Sequence, residues 1–119
     1  MRKFLLKFLL TLSVFISLSN YSNSQIVISQ VYGGGGNSGA TYTHDFIELF
    51  NRGTSAVSIA GWSIQYTSSA GTTWQKTDLS GTLLPGQYYL IQQAQGAGGT
   101  TALPTPDVTG TIAMSGTNG

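Results

Sequence analysis

Hydrophobic and polar residues alternate along two neighbouring stretches of the chain, residues 45–51 and 61–66. Successive side chains of a β-strand point to opposite faces, so Ile47 and Leu49 fall on the face opposite Glu48. The second stretch also places its apolar residues on one face. Two successive strands that each carry an apolar face predict a β-sandwich, in which two sheets bury those faces against each other.

Five other short segments rich in β-branched and aromatic residues predict further strands. Turn residues separate them at intervals of roughly 8–12 residues, which is typical of an all-β sandwich. Pro85 and Gly86 suit the central positions of a type II turn. No apolar period of about 3.6 residues occurs after residue 25, so no helix is predicted there. The predicted strands are residues 26–32, 57–59, 72–77, 87–92 and 107–114, with a loop over 94–106.

The first 24 residues follow a different order. Basic residues at Arg2, Lys3 and Lys7 precede an apolar run over residues 8–18, and small polar residues follow. This order is typical of a secretory signal peptide, and the apolar run is shorter than the roughly 20 residues that a membrane-spanning helix needs. We predict a helical signal peptide over residues 1–24 and a domain over residues 25–119. The domain is expected to be secreted and extracellular, with no stable membrane span after cleavage.

Removal of the signal peptide changes the charge of the protein. Two basic residues then stand against four acidic ones, which gives a net charge of −2 with His44 neutral. Nucleic-acid binding depends on clustered Lys and Arg, so it is not expected of this domain. The sequence contains no cysteine, which excludes disulfides, thiolate metal sites and cysteine nucleophiles.

Four segments taken in order resemble the bacterial lamin-tail domain: residues 27–33, 45–51, 57–64 and 84–91. The resemblance covers nearly all of residues 26–119. It implies an immunoglobulin-like β-sandwich and a non-catalytic module of secreted proteins. Such modules often stand beside another domain, for example an endonuclease/exonuclease/phosphatase-type hydrolase, and are thought to assist tethering or substrate contact. The family pattern normally continues past Gly119, so we expect the domain to be C-terminally incomplete, lacking its last strand or strands.

A glycine-rich segment follows the first predicted strand. Gly34, Gly36 and Gly39 have the G-x-G-x-x-G spacing of a dinucleotide-binding loop. Such a loop requires a helix that opens at the third glycine, whereas residues 40–43 lead into another strand. The segment is therefore predicted to be a structural loop that binds no cofactor.

The acidic residues and the single histidine offer weak catalytic or metal sites. Asp45 and Glu48 fall on opposite faces of a strand, so they are not expected to share one ion with His44. A lone histidine without a second imidazole or a thiolate is a poor zinc site, and no serine lies in a nucleophile elbow. We predict no catalytic residues, no metal site and no cofactor.

The aromatic residues are the remaining candidates for a binding surface. Trp62 is predicted to lie in the core, because a large aromatic residue on an alternating strand is usually buried. Trp74 and Tyr89 are predicted to be exposed and are the candidate surface-binding residues.

These observations predict a secreted, non-enzymatic interaction or tethering module. Its partner is unknown and is either an extracellular molecule or a neighbouring domain of the same chain. One alternative is the N-terminal accessory domain of a secreted metal-dependent hydrolase. A further alternative is a carbohydrate-binding module that uses Trp74 and nearby tyrosines.

Overall fold

The computed structural model of the protein describes residues 24–117. These residues form eight β-strands and no helix, and hence no helix long and apolar enough to cross a membrane. The predicted signal peptide lies outside the described residues except for Ser24. The all-β prediction is confirmed. The strands are β1 (Ile26–Tyr32), β2 (His44–Asn51), β3 (Val57–Ser58), β4 (Ser63–Tyr66), β5 (Gln75–Asp78), β6 (Thr82–Leu83), β7 (Tyr88–Gln95) and β8 (Val108–Thr109).

The larger sheet has the strand order β1-β2-β7-β8. β2 lies inside this sheet and pairs antiparallel with β1 on one side and with β7 on the other. Ile47 lies opposite Ile91, and Leu49 lies opposite Tyr89. All four of these side chains are buried, which confirms the alternation predicted for residues 45–51.

The second layer consists of two antiparallel strand pairs, β3-β6 and β4-β5. Its inward side chains, including Ile59 and Leu83, meet Ile47 and Ile91 of the larger sheet in one hydrophobic core. Full burial of a side chain such as Leu83 contributes roughly 1.5–3 kcal/mol to the free energy of unfolding. The two packed layers are the predicted immunoglobulin-like β-sandwich.

The turn between β6 and β7 has the predicted chemistry. Gly86 follows Pro85 and adopts a φ of 74°, a conformation that glycine accepts without a steric penalty. The backbone N–H of Gln87 closes the turn on the carbonyl of Leu84 at 3.0 Å. The proline and glycine therefore set the direction in which β7 returns to the larger sheet.

The strand predicted over residues 107–114 is wrong in extent. β8 comprises only Val108 and Thr109, which pair parallel to β7. Beyond β8 the contact with β7 is irregular: the N–H of Ile112 bonds the side chain of Gln93 at 3.0 Å, and the carbonyl of Ile112 accepts the N–H of Ala94 at 3.0 Å. Ile112 and Met114 turn into the core, so this segment closes one end of the sandwich.

Other strands also differ from their predicted bounds, and β6 is not among the predicted strands. β4 begins at Ser63 rather than at residue 61, and β5 begins at Gln75 rather than at residue 72. Residues 68–71 form a turn in which Gly71 N–H bonds the Ser68 carbonyl at 2.8 Å, and residues 72–74 continue the connection. β7 extends to Gln95, into the segment predicted as a loop. The hairpin β4-β5 therefore ends in a longer connection than the sequence predicts.

Aromatic side chains cover the outer face of the larger sheet near the start of β2. Phe46 stacks on Tyr32 with ring centroids 5.2 Å apart, and Tyr42 meets Phe46 edge to face at 5.6 Å. The Tyr32 hydroxyl also accepts the N–H of Thr41 at 3.2 Å. These contacts hold the segment that precedes β2 against the sheet.

Candidate functional site

Asp45 is a buried carboxylate at the start of β2, on the same face as Ile47. Its Oδ1 accepts the backbone N–H of Gly35 at 2.5 Å, and its Oδ2 accepts that of Met114 at 2.7 Å. A pocket of about 140 Å³ lies beside these contacts. Because each of its carboxylate oxygens binds a backbone amide, Asp45 joins the glycine-rich loop to the segment around Met114.

The glycine-rich loop uses its backbone amides within the fold. Gly34 N–H bonds the Met114 carbonyl at 3.1 Å, Gly36 N–H bonds the Tyr42 carbonyl at 2.8 Å, and Gly35 N–H bonds Asp45. A phosphate-binding loop instead directs such consecutive amides at the anion. The prediction of a structural loop that leads into a strand is confirmed.

The remaining members of the candidate metal or acid–base cluster lie apart. Glu48 is on the face of β2 opposite Asp45, as predicted, and its Oε1 accepts the Ser29 hydroxyl at 2.7 Å. His44 Nδ1 lies 2.9 Å from Thr43 Oγ1. Among residues 24–117 no group of three or more His, Cys, Asp or Glu side chains is arranged to hold a metal ion.

An open groove of about 510 Å³ lies at the end of the β4-β5 hairpin. One wall comes from the hairpin and its connection, with the hydroxyl residues Ser68, Thr72 and Thr73. The other wall is residues 113–115, and the Ser115 N–H bonds the Tyr66 hydroxyl between the two walls at 2.9 Å. The groove lining carries no charged side chain, so it is suited to neutral polar groups.

Residues 19–118 match the family model of the Lamin Tail Domain. The chain belongs to the lamin tail domain family. Neither the curated proteins nor the solved structures gave a significant match. Membership supports an immunoglobulin-like interaction module and agrees with the prediction that this chain is not itself an enzyme.

The lamin tail domain exposes one of the two aromatic residues predicted to form a binding surface. Trp74 is 63% exposed and directly follows Thr73 of the groove wall. Tyr89 is buried, so its predicted exposure is wrong. Tyr89 shares a face of β7 with the fully buried Ile91, and its hydroxyl donates to the Ser80 carbonyl at 3.0 Å. The adjacent Tyr88 points outward instead.

The prediction that Trp62 is a core residue is also wrong, because Trp62 is 46% exposed. It precedes β4 and closes a turn in which its N–H bonds the carbonyl of Ile59 at 3.0 Å. Ile59 is fully buried and belongs to the hydrophobic core, whereas the Trp62 indole lies at the surface.

Four buried polar side chains of the lamin tail domain are absent from the predicted site residues: Asp45, Asn51, Thr77 and Gln93. Asn51 donates to the carbonyls of Ser55 and Leu83 at 2.9 and 3.0 Å. Gln93 accepts the Ile112 N–H and exchanges hydrogen bonds with the Thr77 hydroxyl. The alternation of β2 contains a signal for two of them, because Asp45 and Asn51 have the same parity as the apolar core residues.

Proposed function

We propose that this lamin tail domain is a secreted, non-catalytic module that tethers its chain to an extracellular partner. The observation that carries the proposal is the role of Asp45, whose two oxygens are both engaged in holding backbone segments together. The groove at the end of the β4-β5 hairpin offers hydroxyl groups and no charged side chain. The polar groups of the domain are thus arranged for structure and binding, and the fold family agrees with that role.

A carbohydrate is the second candidate partner, and the position of Trp74 favours it. The exposed indole lies next to a groove wall of hydroxyl residues, and ligand sites commonly combine an aromatic surface with a few polar groups. Trp62 and Trp74 adjoin opposite ends of the β4-β5 hairpin, so they do not form one continuous row. The arrangement is suited to a single short segment of a neutral sugar polymer at Trp74.

A third candidate is an accessory role for a secreted metal-dependent hydrolase. It predicts that the DNA downstream of the Gly119 codon encodes closing strands followed by a domain with catalytic carboxylates and histidines. The sequence of that DNA would distinguish an accessory module of a hydrolase from a module that functions alone.

The direct test is to express the full chain with its own N-terminal residues in a bacterial host. We expect an exported product whose measured mass corresponds to a chain that begins at Gln25. We also expect this product to be retained on insoluble cell-wall or plant polysaccharide. A product that stays in the cytoplasm would contradict secretion. Hydrolysis of DNA or phosphoesters by the purified chain would contradict the non-catalytic role.

The variant Trp74→Ala tests the carbohydrate candidate, with Trp62→Ala as the matched control at the other end of the hairpin. We expect Trp74→Ala to abolish retention on the polysaccharide and Trp62→Ala to preserve it. Circular dichroism spectra should show that both variants are folded. Equal retention of both variants would exclude Trp74 as the binding residue while leaving a tethering role through another surface.

A further inference from the structure

β1 is an edge strand of the larger sheet and, among the described residues, pairs only with β2. Its sequence, IVISQVY, contains no charged residue and no proline, two of the features that usually protect an exposed edge. Ile28 and Val31 are 58% and 59% exposed although they lie opposite the core residues Leu49 and Ile47. An apolar patch on this edge, formed by Ile28 and Val31, is therefore uncovered within the described residues.

The backbone groups of the same two residues point away from the sheet. Arg52 N–H bonds the Gln25 carbonyl at 2.9 Å, so Gln25 directs its groups toward β2. The direction of the backbone N–H and C=O groups alternates along a strand. Because Ile28 is three residues after Gln25, its N–H and C=O groups point to the free edge. At the other end, Asn51 N–H bonds the Gln87 carbonyl at 3.0 Å. Ile47, four residues before Asn51, therefore also faces β7, and its partner Val31 faces the free edge.

The spacing of these outward groups identifies the strand that fits them. A regular strand directs its backbone groups to one side at every second residue, but the irregularity between Ile28 and Gln30 makes this spacing three residues. A second copy of β1, placed antiparallel, has the same spacing. Ile28 of each copy then lies opposite Val31 of the other, with the two-fold axis between Ser29 and Gln30.

We propose that two copies of this domain associate by antiparallel pairing of their β1 edges in this register. The pairing covers the apolar patch of each copy, and no like charges meet because β1 carries none. An interface of two seven-residue strands falls below the roughly 1,200 Å² of a standard stable interface, so the dimer is weak and concentration-dependent. The association goes beyond the tethering role and would give a tethered pair two binding sites.

The register is tested by cysteine pairing, because the chain has no native cysteine. Equal amounts of the full-chain variants Ile28→Cys and Val31→Cys are mixed and mildly oxidised, and the dimers are distinguished by mass. Opposed residues of a hydrogen-bonded antiparallel pair have Cα atoms about 5.5 Å apart, which suits a disulfide. Random pairing would give the mixed dimer and the two homodimers in a ratio of two to one to one. We expect the ratio of the mixed dimer to either homodimer to be several-fold higher than this. A statistical ratio overturns the proposal.

Sedimentation of the exported chain gives an independent test. We expect a reversible dimer that Val31→Lys abolishes and that Leu84→Lys preserves, since Leu84 is equally exposed, at 58%, but lies on the turn after β6. A monomer at millimolar concentration overturns the proposal. If the monomer also protects the Ile28 and Val31 amides from hydrogen exchange, another segment of the same chain occupies the edge.

Discussion

Asp45 Oδ2 accepts the backbone N–H of Met114 at 2.7 Å, across a sequence separation of 69 residues. The other oxygen of the same carboxylate accepts Gly35 N–H. One side chain thereby fixes the loop after β1 and the segment that closes the core. Hydrogen bonds to a charged acceptor are stronger than those between neutral groups, so this contact contributes substantially to stability.

Replacing this carboxylate with an amide should destabilise the domain. In Asp45→Asn, an amide NH₂ would face one of the two backbone N–H groups, which leaves that donor buried without an acceptor. We expect a loss of about 1.5–3 kcal/mol in the free energy of unfolding by urea titration. Asp78→Asn is the control, because the Asp78 ion pair with Lys76 is exposed and should contribute less than about 1 kcal/mol. Equal midpoints for the two variants would contradict the structural role of Asp45.

Two glycines of the loop provide a matched comparison of backbone packing. Gly36 and Gly39 both have positive φ values, of 70° and 80°. A Cβ at Gly36 would overlap the backbone of Gly96, whereas a Cβ at Gly39 would meet no atom within 4 Å. Gly39→Ala should therefore lose only about 1–2 kcal/mol from the left-handed conformation. Gly36→Ala should lose a further 1–3 kcal/mol or so from overpacking. Thermal unfolding of the two variants measures this difference, and equal losses would indicate a loose loop.

Two threonines should respond in opposite directions to the same substitution. Thr77 Oγ1 exchanges hydrogen bonds with the side chain of Gln93 at 3.0 and 3.1 Å. Thr67 Oγ1 is buried and has no hydrogen-bond partner within residues 24–117. Thr77→Val should therefore destabilise the domain by about 1–3 kcal/mol, because it leaves the Gln93 amide unsatisfied. Thr67→Val should be neutral or stabilising by up to about 1 kcal/mol. Urea titration of both variants gives the signs, and destabilisation by Thr67→Val would show that its hydroxyl has a partner.

The two adjacent tyrosines of β7 offer a test of the corrected face assignment. Tyr89→Phe removes a hydroxyl that donates to the Ser80 carbonyl and should lower the free energy of unfolding by about 1 kcal/mol. Tyr88→Phe changes an exposed residue and should stay within about 0.5 kcal/mol of the parent. The reverse order in the measured midpoints would restore Tyr89 as the outward residue.

The alternation of residues predicted the strand positions well but not every direction. The bounds of β1 and the turn at Gly86 follow from local composition, and the structure confirms both. For β7, alternation separates Tyr88 from Tyr89 without saying which of them is inward. That direction depends on the opposing layer, which local sequence does not describe. For Trp62, the alternation and the size of the side chain predict burial, but the indole is 46% exposed because it lies before β4 rather than on it.

The structural role of Asp45 could not be predicted in full from sequence. Its parity with Ile47 places a charged residue on the core face, which indicates a buried partner. The partners themselves are backbone amides at Gly35 and Met114, and backbone amides leave no mark in composition. The groove at the end of the β4-β5 hairpin exists because residues 113–115 pass beside the hairpin connection. The regular strand predicted over residues 107–114 does not indicate that path.

Ser24 and Met114 lie at opposite ends of β1. The carbonyl of Ser24 accepts a hydrogen bond from the Arg52 side chain, whereas the carbonyl of Met114 accepts the N–H of Gly34 at the far end of the strand. β1 spans roughly 20 Å between these points, at about 3.3 Å per residue. A force that separates Ser24 from Met114 would therefore act along β1 and load its hydrogen bonds to β2 together, in shear, rather than one at a time. Such a geometry resists extension between these two residues.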